Sequence, residues 1–210
     1  MLSALRFCYI SDYANPDLLL SAVKGGVLSV QYRDKNSSRS VRYVKARQLK
    51  KQLDCFNIPL IINDDVDLAH KINAAGVHLG QADQRPEAAR NILGAGKIIG
   101  WSIESVAQLK EANRLSCLDY VAASAIFPSR SKADLKTLWG LEGLEKLVAL
   151  SRHPLIAIGG IDMTNIAAIM SRAVFGAAVI SAISNANDPE RAARALHERI
   201  IGVKHDSNHQ

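Results

Sequence analysis

Cysteine is scarce in this chain and badly placed for cross-linking. Cys8, Cys55 and Cys117 are the only three in 210 residues, an odd number with no Cys-x-x-Cys pair. That usage argues against a disulfide framework or a zinc site, and for buried free thiols in a reducing compartment. Long apolar runs are missing as well: the longest, Ala173–Ile183, falls far short of the ~20 residues that span a bilayer. Met1–Ile10 carries one basic residue and no small-residue cleavage site, so it reads as a first strand and not as a signal peptide. A cytoplasmic protein without membrane contact is expected. There is no linker rich in Pro, Gly or Ser and no low-complexity segment. One domain over residues 1–203 is expected, with a polar tail from Lys204 to Gln210. No aromatic-interleaved cluster of basic residues occurs either. The net charge of +6 and pI near 9.3 therefore give little support to a nucleic-acid partner. They suit small anionic substrates, or serve only solubility.

What is present is a regular alternation of β-rich apolar runs and helical patterns. Strand candidates are Leu5–Ile10, Val27–Arg33, Pro59–Asn63, Gly76–Leu79, Lys97–Gly100, Tyr120–Ala123, Leu155–Ile158 and Gly176–Val179. Several are continuous apolar runs, the pattern of parallel strands buried on both faces. Helix starts are marked by Asn15-Pro16 and Asp188-Pro189, by Pro86, by Asp162 and by a capping box at Ser105–Gln108. Eight βα units of about 25 residues fit a small (βα)8 TIM barrel. A dinucleotide-binding sheet is disfavoured, because no Gly-x-Gly-x-x-Gly follows the first strand.

In such a barrel the chemistry lies on the loops after the strands. Arg33 and Lys35 follow the second strand two residues apart, so they project to one side and suit a polyanion such as pyrophosphate. An ordinary charged strand end is the alternative. Asn63, Asp64 and Asp65 follow the third strand, and Gly80–Asp83 the fourth. Asn and Asp are also the preferred helix N-caps, and taken alone that is their commoner use. Together, Asp64 and Asp83 supply the two carboxylates that Mg²⁺ takes from a protein, with Asn63 beside them for a phosphate oxygen. No His/Cys cluster competes for zinc or iron. The loop from Ser124 to Trp139 holds Ser129, Ser131 and Lys132 and reads as a solvated surface loop or as a lid. Gly159-Gly160 after the seventh strand and Ser181 after the eighth occupy the recurrent phosphate corner of this fold. His78 reads as a packed or hydrogen-bonded strand residue. Ser102 reads as a ligand contact or helix start, having no histidine near it in sequence to make it a nucleophile.

Taken in order, Gln31-Tyr32-Arg33-Asp34-Lys35, Ile62-Asn63-Asp64, Gly76–Asp83, Gly100-Trp101-Ser102, Phe127–Lys132, Ala157–Ile161 and Val179–Ile183 resemble the motif set of the thiamine-phosphate synthase family, over about Leu5 to Arg199. The resemblance implies a (βα)8 transferase. It would join 4-amino-2-methyl-5-hydroxymethylpyrimidine diphosphate to hydroxyethylthiazole phosphate, or to its carboxylated form, and release pyrophosphate. It implies that Arg33, Lys35, Asn63 and Lys132 hold the pyrophosphate and that Asp64 and Asp83 carry Mg²⁺. Gln31 and Ser102 would meet the pyrimidine, Ser129 and Ser131 the thiazole region, and Gly160, Ile180 and Ser181 the thiazole phosphate. The implied partners are these two small molecules, with a homo-oligomer left open. Departures are Ser129 and Ser131 in place of threonines, Ser124-Ala125 in place of Gly-Pro, and Glu104 where many members carry His or a hydroxyl residue. Two rivals share the barrel. A thiazole tautomerase would have a histidine where Ala125 stands and would lack the carboxylates. A non-catalytic phosphate-binding barrel would use Asp64 and Asp83 only as caps.

Overall fold

The alternating runs fold into a closed parallel barrel in the computed structural model, which describes residues 2–129 and 137–202. The strands are Phe7–Ser11 (β1), Ser29–Tyr32 (β2), Leu60–Asn63 (β3), Gly76–Leu79 (β4), Ile98–Ile103 (β5), Tyr120–Ser124 (β6), Leu155–Ile158 (β7) and Gly176–Val179 (β8). Each pairs with the next and β8 closes on β1, in the order expected of a (βα)8 fold. Around them, among the described residues, run helices Pro16–Lys24 (α1), Arg39–Asp54 (α2), Val66–Lys71 (α3), Pro86–Leu93 (α4), Val106–Ala112 (α5), Gly140–Leu150 (α6), Ile166–Met170 (α7), Ser181–Ser184 (α8) and Pro189–Ile201 (α9). None of these is long and apolar enough to cross a membrane. The polar tail from Lys204 lies outside the described residues.

Strand side chains alternate between two cores, as a period of two requires. Outward residues such as Tyr9, Val30, Ile62, Leu79, Trp101 and Val121 pack beneath the helices in one continuous cluster. Inward residues, among them Cys8, Ile10, Ile61, Ile98, Tyr120 and Ile156, fill the lumen. The barrel is therefore a packed core, and only its mouth is open to ligands.

Several sequence expectations shift. The first strand begins at Phe7 and not Leu5, because Leu2–Arg6 forms a 3-10 turn. That turn lies across Gly176, where a side chain would meet the Arg6 backbone. The fifth strand continues to Ile103, pairing Ser102 with Ala122 and Ile103 with Ala123, so Ser102 is a strand residue and not a helix start. Asn15 and Asp188 cap α1 and α9 as their Asx-Pro pairs predict. Asp162 does not cap α7: its carboxylate accepts from Thr164, and Asn165 occupies the cap. In the Ser105 capping box, Ser105 Oγ accepts from Gln108 N, while Gln108 Oε1 accepts from the Glu104 N–H one residue upstream of the usual position. Of the three free cysteines only Cys8 is buried. Cys55 is exposed because it falls at the C-cap of α2, where chain direction and not hydrophobicity decides its environment.

Candidate active site

Register alone brings the polar strand ends together. Ile10 pairs with Gln31 across β1–β2, and Asn63 with His78 across β3–β4. These residues and Ser102 share the inward parity with Ile158 and Ala178. All of them line one cleft of about 250 Å³ at the carboxyl ends of the strands. Arg33, Lys35, Asp64, Asp83, Ser129, Gly160, Ile180 and Ser181 complete its rim. A second hollow of about 400 Å³ lies at the opposite end of the barrel, lined by residues such as Ser3, Pro59 and Lys97. It is shallow and brings together none of the candidate side chains. Every site residue singled out in the sequence lies on the one cleft except Ser131 and Lys132, which lie outside the described residues.

The β2–α2 loop presents the two cations, and Asp34 holds it in place. The Asp34 side chain is 4% exposed. It accepts from Tyr32 Oη at 3.2 Å, Lys45 Nζ at 2.9 Å, and the N–H groups of Asn36 and Ser37. Burial alone would raise its pKa, but the bonds from Lys45 and the Asn36–Ser37 turn outweigh it and hold the carboxyl far below the usual range. Arg33 N donates to Ser11 O at 2.8 Å, which ties the loop to β1. Lys35 reaches Asp64 at 3.7 Å with its side chain 59% exposed, an ion pair too open to add much stability but well placed to meet an anion.

Asp64 and Asp83 do not cap helices. Asp65 is the N-cap of α3, accepting from Leu68 N at 2.9 Å, and Arg85 occupies the cap position of α4. Asp64 instead takes a left-handed backbone, φ 65°, with its N–H donating to His78 O at 2.8 Å. Asp83 folds back so that Oδ2 accepts from Gly80 N at 2.7 Å. The two carboxyls come within hydrogen-bonding reach of each other. Burial first, then the Asp83 hydrogen bond and charge, push the Asp64 pKa up to about 6, although Lys35 and Arg33 pull the other way. A carboxylate pair that repels once both members are ionised is suited to a divalent cation, and two carboxylates are what Mg²⁺ takes from a protein when water and phosphate oxygens complete its shell. No group of three or more His, Cys, Asp or Glu side chains that would hold a different metal occurs among the described residues.

Across the cleft, Gly159 and Gly160 have φ of 101° and 64°, conformations that suit glycine. A side chain at Gly160 would meet Pro128 O at 2.6 Å, and one at Gly159 would overlap Ala125. The β7 turn thus packs directly on the β6 loop, which Ile126 N and Phe127 N secure by donating to Ile158 O and Gly159 O. Helix α8 opens at Ser181, whose N–H has no partner within the helix. Tyr9 Oη bonds Ser184 Oγ at 2.9 Å and holds this short helix against β1.

His78 is the hydrogen-bonded strand residue that the sequence reading expected: it bridges Tyr120 and Ser102 at 2.9 and 2.8 Å. The histidine that Ser102 lacks nearby in sequence is thus supplied by the paired strand. Sequence reasoning left out Tyr120 and the side chain of Gln81, whose Nε2 donates to Ser102 O at 2.6 Å, because both contacts depend on strand register.

Cations, a carboxylate pair and a glycine turn facing a helix start, all at the mouth of a (βα)8 barrel, define a barrel built to hold anionic small molecules. Comparison with known proteins narrows this class. The profile of the thiamine monophosphate synthase family matches residues 8–183. A thiamine-phosphate synthase of Chlamydia abortus is 41% identical over 184 residues, covering 88% of this chain and 86% of the relative. One from Vibrio parahaemolyticus is 44% identical over 175 residues, 83% of this chain and 85% of its own. The solved thiamine phosphate pyrophosphorylase of Pyrococcus furiosus superposes with a TM-score of 0.86 at 30% identity, covering 96% of this chain and 98% of that one. The chain belongs to the thiamine monophosphate synthase family.

Proposed function

We propose that this protein is a thiamine-phosphate synthase, a transferase that joins 4-amino-2-methyl-5-hydroxymethylpyrimidine diphosphate to a hydroxyethylthiazole phosphate, plain or carboxylated. The bond between the pyrimidine methylene and the diphosphate oxygen breaks with its electron pair leaving on pyrophosphate. The thiazole nitrogen then forms the new C–N bond with its own lone pair. That nitrogen has no proton to lose, so the site needs no general base. Catalysis reduces to steadying charge and holding two ligands in line.

Arg33, Lys35, Asn63 and Lys132 steady the departing pyrophosphate, and Asp64 with Asp83 hold Mg²⁺. When bound, the ion supplies positive charge to the leaving group. Gln31 and Ser102 orient the pyrimidine, and Ser129 and Ser131 border the thiazole. The backbone at Gly160, Ile180 and Ser181 takes the thiazole phosphate. The Ser124–Trp139 loop serves as the lid that keeps water from the electrophilic methylene. A cytoplasmic location is supported by the three unbridged cysteines.

One observation carries the reading: the Asp64–Asp83 pair sits beside Arg33 and Lys35 on one side of a cleft whose other side is the Gly160–Ser181 corner. That arrangement serves two anions of different size. Pyrophosphate release from the two substrates should require Mg²⁺, and Asp64→Asn should lower kcat at least about 100-fold, the scale of losing an electrostatic partner in the transition state. Release that is indifferent to EDTA would remove the metal assignment. A thiazole tautomerase would instead turn over its single substrate without the diphosphate.

A further inference from the structure

Three residues on neighbouring strands stand at one level of the lumen. His78 pairs with Gly100, and Gly100 pairs with Tyr120. All three point inward, and the middle one has no side chain. A Cβ at Gly100 would overlap the Tyr120 ring, so only glycine lets that ring lie across β5 toward His78. The rings stack at 25° with centroids 5.5 Å apart, and Tyr120 Oη lies 2.9 Å from His78 Nδ1. Two residues further along β5, on the same face, Ser102 Oγ lies 2.8 Å from His78 Nε2 and borders the cleft. A hydrogen-bonded line thus runs from the sealed barrel floor to the ligand surface.

The direction of that line follows from counting hydrogens. Tyr120 is 3% exposed. Burial, and then the neighbouring Cys8 and Asp119, raise its pKa well above 10, so the hydroxyl keeps its hydrogen. Among the described residues its hydrogen-bond partner is Nδ1. If Nδ1 carried a proton, as in the other neutral tautomer or in the imidazolium, the Tyr120 hydrogen would lose its acceptor in a dry core. An unmade bond there costs more than a made one returns. Nδ1 therefore accepts, Nε2–H donates to Ser102 Oγ, and the Ser102 hydrogen is turned away from His78.

We infer that Tyr120 and His78 are positioning residues that fix Ser102 as a hydrogen-bond donor into the cleft, selecting a ligand with an acceptor there, such as a pyrimidine ring nitrogen. This rests on the function proposed above for the identity of the ligand, but not for the state of His78.

The test has two arms. In protein labelled with ¹⁵N-histidine and without substrate, long-range ¹H–¹⁵N correlation at pH 7.5 should place the His78 proton on Nε2. Tyr120→Phe should release that preference and mix the tautomers. A proton on Nδ1 in the unaltered protein would overturn the inference. In the second arm, the pyrimidine diphosphate competes with pyridine analogues in which either ring nitrogen is replaced by CH. The unaltered protein should prefer the parent over one analogue by about 2- to 12-fold in KM, the value of one neutral hydrogen bond. Ser102→Ala and Tyr120→Phe should abolish that preference, while affinity for inorganic pyrophosphate stays unchanged. His78→Gln, which keeps an N–H near Ser102, should retain part of the preference, and His78→Leu none. Equal discrimination by Tyr120→Phe and the unaltered protein would refute the positioning role. If the proton sits on Nε2 but no pyrimidine diphosphate binds at all, the relay stands and the proposed function falls.

Discussion

Asp64 takes a backbone conformation that costs most side chains energy, and aspartate is among the few residues that visit it readily. The left-handed turn points its carboxyl at Asp83 and leaves the capping of α3 to Asp65, a division of labour between neighbours that no spacing rule reveals. At the opposite corner, Ser181 opens α8, where an acidic residue is tolerated by the helix dipole but not by a phosphate ligand. Ser181→Asp should therefore leave the fold intact while weakening the thiazole phosphate by about 10- to 100-fold through charge repulsion. Isothermal titration with each ligand separately would show it, the pyrimidine diphosphate being spared. Equal loss of both would mean that the two corners are assigned the wrong way round.

Elements matter here mainly through how their ends are pinned. The β2–α2 connection owes its shape to Asp34, a buried carboxylate with four donors, one of them Lys45. Asp34→Ala should cost about 2–3 kcal/mol, toward the low side for a broken buried pair because Lys45 keeps 30% exposure. It should also raise KM for the diphosphate substrate, since Arg33 and Lys35 lose their mounting; urea denaturation and initial rates would separate the two effects. Because the folded-state pKa of Asp34 is depressed, its contribution is present above the unfolded value near 3.8 and disappears as pH falls through the folded one. Much at this scale was legible in the sequence. Asn15-Pro16 and Asp188-Pro189 marked helix starts correctly because capping is decided within four residues. Three central strands kept their expected limits, Gly76–Leu79, Leu155–Ile158 and Gly176–Val179. The limits of β1 and β5 were not legible, since what prolongs or shortens a strand is the neighbour it pairs with.

For the whole molecule, the carboxylate pair sets binding chemistry against stability. Asp64 has a folded pKa raised from 3.8 to about 6. The sign follows from linkage: the stabilising proton is fully bound below about 4 and is lost as pH rises through 6, so the metal-free barrel carries a penalty near neutrality. Two units correspond to an upper bound of roughly 3 kcal/mol, and solvent screening at a side chain 31% exposed brings this to about 1–2 kcal/mol. Metal-free Asp64→Asn should accordingly melt higher than the unaltered protein at pH 7.5 and alike at pH 4. Mg²⁺ should raise the Tm of the unaltered protein at pH 7.5 only. Calorimetry with and without EDTA checks both, and a lower Tm for Asp64→Asn at pH 7.5 would contradict the repulsive pair.

The linear chain by itself determined the number and order of the βα units, most helix starts, and the rim residues Arg33, Asn63, Asp64, Asp83, Gly160 and Ser181. These depend on local periodicity and on position at or just after a strand end, which short stretches of sequence encode, whereas Gln31 was marked only by the family resemblance. Only the tertiary structure decided which of Asp64 and Asp65 faces the ligand, that Asp64 and Asp83 meet, that Asp34 mounts the cationic loop, and that His78 reaches Tyr120 across Gly100. Those outcomes depend on the register between strands and on closure of the barrel. A contact between residues 24 and 42 positions apart, as Ser102 and Tyr120 make with His78, is fixed by the hydrogen-bonded register of β4, β5 and β6 and leaves no periodic trace in the sequence.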